Sequence, residues 1–403
     1  MKTAQTHASR RAILKGAAAL GAGLAFLPRA GRAQPSGPIR IAGLVPLTGG
    51  GGAFGPNMAA SHKLVVDEVN AAGGVLGRKV ELITEDDQTN PEAGVRAARK
   101  LIDVDKVSAI MSVWASAVGT AVLPLCWENK VMMLAICAAD TIAELPHQGY
   151  FVRTQPHTAL QGEQFAKFAI DTATKHLYVM MPQTPFTDTV IKGITAICAP
   201  KGIKVSSMVY DAKKTSLRSE VDEVMRTTPD TLMIGGYQPD DIVLAKDVFR
   251  ANYKGRVIGF AYGMTPQFVE GAGAEVAEGM YTVEPIPAAG STGYQRLKTL
   301  LKKDELDTYT CQGYDHANLA ILAIAHAKDA SGAAIKDHVR KIGDPAGVKV
   351  DNAVDGLKLL AEGKQINYEG ASGPCKFTDI GNVREVVFRL NQIKAGKILP
   401  AKI

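Results

Sequence analysis

The sequence predicts an α/β protein built as two doubly wound lobes, joined by a hinge that the chain crosses more than once. Three observations carry this expectation. Short apolar runs of strand length alternate with amphipathic helical segments, the pattern of a parallel sheet covered on both faces. That rhythm runs from Ile39 to Arg153 and restarts after Pro156. A mostly helical stretch, Thr292 to Ile342, then precedes a terminal hairpin, so the chain has to return between lobes. The length of 403 residues agrees, because single cores seldom grow past roughly 250–300 residues.

The elements follow in order. Ile39–Val45 reads as a buried strand leading into the glycine-rich loop Thr48–Gly55. A helix from Pro56 to Ala72 carries Met58, His62, Val65, Val66 and Val69 on one face, and Gly73-Gly74 stops it. Strand Val80–Glu85 comes next, and Asn90-Pro91 caps and opens a second helix. Strand Val107–Val113, a helix through Ala121, and strands Val131–Ile136 and Tyr150–Arg153 complete the first series. The second has helices near Leu160–Ala173, Asp188–Ala199, Glu220–Arg226 and Asp241–Ala251. Its strands are Leu177–Met181, Lys204–Tyr210, Thr231–Ile234, Arg256–Phe260 and Gly279–Val283. A helix near Val354–Ala361 and a hairpin, Glu385–Ile393 turning at Lys394–Lys397 to Ile398, end the chain.

Residues 1–33 hold six basic residues and no acidic one, with an 11-residue apolar run from Ala17 to Leu27. This is the pattern of a signal peptide cut near Ala33, and Arg10-Arg11 marks it as the twin-arginine type. The run is too short to cross a hydrocarbon core of roughly 30 Å. The chain has 46 basic and 40 acidic residues, so removing residues 1–33 leaves 40 against 40. That balance argues against nucleic acid as a partner. Five scattered cysteines form no CxxC pair, and neither a zinc site nor a redox motif is expected. One disulfide among them stays open, with most expected as buried thiols.

Enzyme motifs do not assemble. The Thr48–Gly55 loop lacks the Lys-Ser/Thr of a phosphate-binding loop, and Val276 stands where Gly271-Ala272-Gly273 would need its third glycine. No Gly-x-Ser-x-Gly elbow or metal-ligand histidine spacing occurs, so no cofactor, metal or catalytic residue is expected. Asp86-Asp87 reads as a polar strand end feeding a turn, against the alternative of a catalytic carboxylate pair. Ser116 stands where an apolar strand gives way to a helix. There it can cap the helix, or offer its hydroxyl beside N–H groups suited to an anion.

Three stretches carry a family resemblance: Ile41-Ala42-Gly43-Leu44-Val45-Pro46-Leu47-Thr48-Gly49, Asn70-Ala71-Ala72-Gly73-Gly74-Val75-Leu76-Gly77 and Glu85-Asp86-Asp87-Gln88-Thr89-Asn90-Pro91. With them the chain resembles the periplasmic binding proteins of branched-chain and hydrophobic amino-acid importers. The resemblance implies a type I architecture with crossings near Gln155, Pro285 and Gly373. The lobes would then be 38–155 plus 286–373, and 156–285 plus 374–403. It also implies a monomeric periplasmic receptor with a small-molecule solute as ligand. Its partners would be the permease and, through it, the ATPase of an ABC importer, with no other membrane contact.

By the same resemblance Ser116 holds a ligand carboxylate, while Cys137 and Ala139 fall on positions that contribute a backbone carbonyl and a hydroxyl. Ala139 has no hydroxyl to give. Thr141–Glu144 reads as a capping box, which makes Thr141 structural. Phe54, Trp114, Phe186 and Tyr237 sit at strand-to-loop positions and are expected to wall the cleft with rings. Tyr262 stands where amino-acid binders of the family carry an acid for the ligand's ammonium. Either Asp140 or Asp188 replaces that acid, or the ligand is a carboxylate or amide without an α-ammonium. A sensory receptor of the same fold and a true branched-chain amino-acid binder remain as alternatives.

Overall fold

The computed structural model describes residues 37–212 and 214–403. The signal segment, its paired arginines and the cut near Ala33 lie outside the described residues.

The first sheet is parallel, ordered β2-β1-β3-β4-β5. Its strands are β1 (Ile39–Val45), β2 (Val80–Asp86), β3 (Ala109–Val113), β4 (Met132–Ala135) and β5 (Phe151–Arg153). Among them run α1 (Gly55–Ala71), α2 (Pro91–Arg99), α3 (Ser116–Glu128) and the short α4 (Asp140–Ala143). Asn90 accepts from the Ala93 N–H at 2.9 Å and so starts α2, as Asn-Pro chemistry requires. The carboxylate of Asp86 accepts from the Leu47, Thr48 and Gln88 N–H groups and the Thr48 hydroxyl. It ties the end of β2 to the glycine-rich loop, a structural duty that leaves no free pair with Asp87.

After β5 the chain builds a second sheet, ordered β14-β13-β10-β9-β8-β6-β7. It comprises α5 (Thr158–Asp171), β6 (His176–Pro182), α6 (Pro185–Cys198), β7 (Lys204–Tyr210), α7 (Arg218–Met225), β8 (Thr231–Ile234), α8 (Gln238–Arg250), β9 (Arg256–Phe260), α9 (Pro266–Ala272), α10 (Ala274–Ala277) and β10 (Tyr281–Ile286). Then α11 (Thr292–Leu301), α12 (Thr308–Ala327), α13 (Gly332–His338), β11 (Val348–Val350), α14 (Ala353–Ala361) and β12 (Ile366–Tyr368) return to the first sheet. There α12 is buried along almost its whole length against α1, β3, α13 and α14. β13 (Val387–Lys394) and β14 (Lys397–Pro400) add an antiparallel edge to the second sheet.

Each sheet has its own core. Ile41, Met111, Leu134, Tyr314 and Phe377 belong to one side of the first sheet, and Leu44, Ile110 and Val118 to the other. Met180, Leu232 and Phe268, then Phe165, Val179 and Ile258, do the same for the second. Phe377 and Val383 pair as a bridge, and Asn382 pairs with Arg153 of β5. The chain therefore stays with the first sheet beyond Gly373 and joins the second only at Val387. Gly373 serves a local turn, its carbonyl accepting from the Gly370 N–H at 3.0 Å.

All five cysteines are buried free thiols. No helix among the described residues is long and apolar enough to cross a membrane.

Candidate functional site

The cleft is built where strands of both sheets end. Beyond β3, Trp114 and Ala115 turn the chain into α3. Ala115 occupies the cap position and has no side-chain acceptor, so the first N–H groups of α3 are left without a side-chain cap. Ser116 is the first helical residue and does not cap. Its Oγ instead accepts from the Ala138 and Ala139 N–H groups, at 3.2 and 3.1 Å. Two donors fill the acceptor capacity of the hydroxyl. Its own proton is left to donate, and Ser116 lines the central chamber. The hydroxyl therefore presents a donor beside the partial positive charge of a helix start.

Behind that loop lies Arg153, fully buried at the end of β5. Its guanidinium donates to the carbonyls of Ala139 at 2.8 Å and Cys137 at 3.3 Å, and to Asn382 Oδ1 at 2.8 Å. The Cys137 and Ala139 carbonyls are thus turned away from the cleft. Neither residue lines the chamber, and both serve as its backing, whereas Ala138 between them faces it. Thr141 is exposed and caps nothing; Ala139 holds the cap position of α4, so the capping box does not form.

The chamber is narrow, with a cavity volume of about 50 Å³, below the usual span of a small-molecule site. Trp114, Phe186, Tyr237 and Tyr262 line it together with Ser116, as does Tyr309 at the start of α12. Trp114 stands 5.6 Å from the Tyr237 ring and 5.8 Å, edge-on, from Tyr262, so rings of the two sheets meet across the cleft. Phe54 is set one layer back, 5.7 Å from Trp114 and 4.9 Å from Tyr309, and faces an outer vestibule instead. The glycine-rich loop permits this closeness. A Cβ at Gly50 would fall 2.6 Å from the Tyr237 ring.

Tyr262 stacks on Phe260 at 5.1 Å, and its hydroxyl donates weakly to the Gly235 carbonyl at 3.5 Å. Neither proposed substitute acid reaches the chamber. Asp140 is held by His157, Thr158 and the Ala159 N–H, and Asp188 is exposed on α6. Asp241 is fully buried behind Gly236, whose N–H it accepts at 2.8 Å, and burial pushes its pKa well above the usual carboxylate range. No carboxylate lines the chamber among the described residues.

Sequence reasoning missed Tyr309, Thr184, Gln155 and Gln161, which also line the chamber. Asp307, which accepts from the Tyr309 and Thr310 N–H groups, was the available signal that a helix start carries Tyr309 here.

Two α/β units with strand ends converging on a ring-walled chamber are the architecture of a bilobal solute receptor. The chain belongs to the periplasmic binding protein family, whose model matches residues 38–396. Within it, this is a type I, leucine-binding-protein-like solute-binding receptor. The Leu/Ile/Val-binding protein BraC3 of Rhizobium johnstonii is 25% identical over 398 residues, covering 96% of this chain and 98% of that protein. The leucine-binding protein LivK of Thermotoga maritima superposes with a TM-score of 0.77 at 21% identity, over 90% of this chain and 98% of its own. A solute-binding protein of an ABC transporter from Rhodopseudomonas palustris, in complex with p-hydroxybenzoic acid, gives 0.71 at 18% identity, over 91% and 96%.

Proposed function

We propose that the chain is a non-enzymatic, exported receptor that delivers a small carboxylate with an apolar or aromatic body to an ABC importer. One observation carries the choice of ligand. Ser116 and the uncapped start of α3 offer donors in a ring-walled chamber that holds no carboxylate to meet an ammonium. A desolvated ammonium without its counter-charge costs several kcal/mol, and a tyrosine hydroxyl returns about 1 kcal/mol. The two sheets with their helices are taken as lobes that close on the ligand, hinged at residues 154–157, 287–291 and 384–386. The leader at 1–33 is taken as the export signal.

A thermal-shift screen of matched pairs tests the ligand class: leucine against 4-methylpentanoate, phenylalanine against 3-phenylpropanoate, with benzoate alongside. Carboxylates at about 100 times their dissociation constant should stabilise by roughly 2.7 kcal/mol, a shift of a few degrees. Stabilisation by leucine alone would overturn this reading in favour of a branched-chain amino-acid receptor, the function that the name of the Rhizobium relative states for that protein.

Ser116→Ala should weaken the preferred acid roughly 10- to 150-fold in calorimetry, the value of one hydrogen bond to a charged group. The fold should survive, because the substitution strands only two N–H groups at the cleft wall. Unchanged affinity would show that the ligand does not use this end of α3.

A further inference from the structure

Two glutamines at the first crossing are each fixed in orientation by the backbone around them. Gln312 on α12 is 2% exposed, and its Nε2 donates to the Thr154 carbonyl at 3.3 Å and to Gln155 Oε1 at 2.9 Å. A carbonyl only accepts, so the Gln312 atom facing Thr154 has to be the nitrogen. That same nitrogen faces Gln155, which must answer with its oxygen. The Gln155 NH₂ is thereby turned the other way. Thr154 is itself held from α12, since its hydroxyl pairs with His316 Nε2 at 2.9 Å. Gln161 on α5 is fixed likewise, because its Nε2 donates to the Pro156 carbonyl at 2.7 Å, leaving Oε1 over.

Gln155 and Gln161 are 5% and 3% exposed. Both line the chamber, and both also line the vestibule beyond it, so they stand at the throat between the two. Neither Gln155 Nε2 nor Gln161 Oε1 has a hydrogen-bond partner among the described residues. Both side chains line the same narrow space, so one donor and one acceptor are left over at its wall, while the buried amide oxygen without a partner is that of Gln312 behind them.

We propose that Gln155 and Gln161 recognise a hydroxyl on the ring of the bound acid, with Gln155 Nε2 donating to its oxygen and Gln161 Oε1 accepting its proton. This rests on the carboxylate reading of the chamber and names its ligand class as hydroxylated aromatic acids. A hydroxyl accepts and donates through a single atom, which suits a throat walled by Tyr262 and Tyr309. An ammonium would meet the Gln155 N–H groups with donors of its own. A bare ring edge would leave both amides desolvated and unpaired.

Calorimetry with benzoate, 3-hydroxybenzoate and 4-hydroxybenzoate tests it on the full protein. At least one hydroxy acid should bind roughly 10-fold more tightly than benzoate, the sum of two modest hydrogen bonds. In Gln155→Met, close in shape but without the donor, this preference should fall to about threefold or less. Gln161→Met gives a second, independent reading of the same ratio, which loss of some folded protein does not alter. Equal affinity for benzoate and both hydroxy acids, or a preference that survives both substitutions, overturns the proposal while leaving the carboxylate receptor intact. Binding of leucine with none of the three aromatic acids overturns both.

Discussion

Arg153→Met should lower the unfolding midpoint by roughly 4–6 °C, about 3–5 kcal/mol for a chain of this size. It should weaken ligand binding as well. Three oxygens accept hydrogen bonds from the guanidinium, two of them carbonyls of the loop whose N–H groups hold Ser116, and the Asp140 carboxylate lies 3.8 Å away as its counter-charge. Burial pulls the pKa of Arg153 down to about 10, which still leaves it charged at neutral pH. A charge without solvent depends on these partners, and they depend on it in turn. Methionine fills the space and satisfies none of them, and each unpaired buried acceptor costs about 1–3 kcal/mol. Loss of the loop's backing would let Ala138 and Ala139 drift and free the Ser116 hydroxyl to turn. Calorimetric melting and a titration on the same sample check both effects. A shift below about 1 °C with unchanged affinity would show the guanidinium to be dispensable.

Trp114→Ala should reduce affinity roughly 30- to 1,000-fold, about 2–4 kcal/mol, the range of a central aromatic anchor. The indole lies within 6 Å of the Phe54, Tyr237, Tyr262 and Tyr309 rings, two from each side of the cleft. Its loss removes a chamber wall and the ring contacts that join the halves. Affinity should therefore fall for every ligand of the series, unlike the selective change at Gln155. The chain has two tryptophans, and Trp127 lies on α3 away from the chamber lining. In a Trp127→Phe background the emission of Trp114 alone should respond to ligand, which gives a direct reading of the cleft. A Trp114→Ala protein that binds as tightly as the parent would place the ligand elsewhere.

Much of the fold was legible because most of its strands are short runs rich in apolar residues, set off by glycine, proline or charge. Lys204–Tyr210, Thr231–Ile234 and Arg256–Phe260 match their predicted spans end to end. The β11–β12 pair was missed, since three residues per strand are too few to show a period. Helix α9 was also missed, although its Thr265 cap and Pro266 start were in plain view. In the cleft, Ser116 and the rings of Trp114, Phe186, Tyr237 and Tyr262 share one chamber because each stands just past the end of a strand. Cys137 and Ala139 lie behind the chamber, which a count along the loop cannot reveal because it does not say which way a carbonyl turns. That direction is set by Arg153, a residue that reads in sequence as a polar strand end. Gln155, Gln161 and Tyr309 come together from a crossing segment, a helix of the second sheet and a helix some 150 residues on. No local pattern announces such a meeting.

The five thiols have a consequence for the chemistry the fold requires. Each is sealed inside a core, and burial pushes those of Cys126 and Cys137 up to about 12, where the reactive thiolate is scarce. The native state owes nothing to oxidation, and reducing surroundings take nothing from it. A reductant such as dithiothreitol should therefore leave the melting midpoint unchanged.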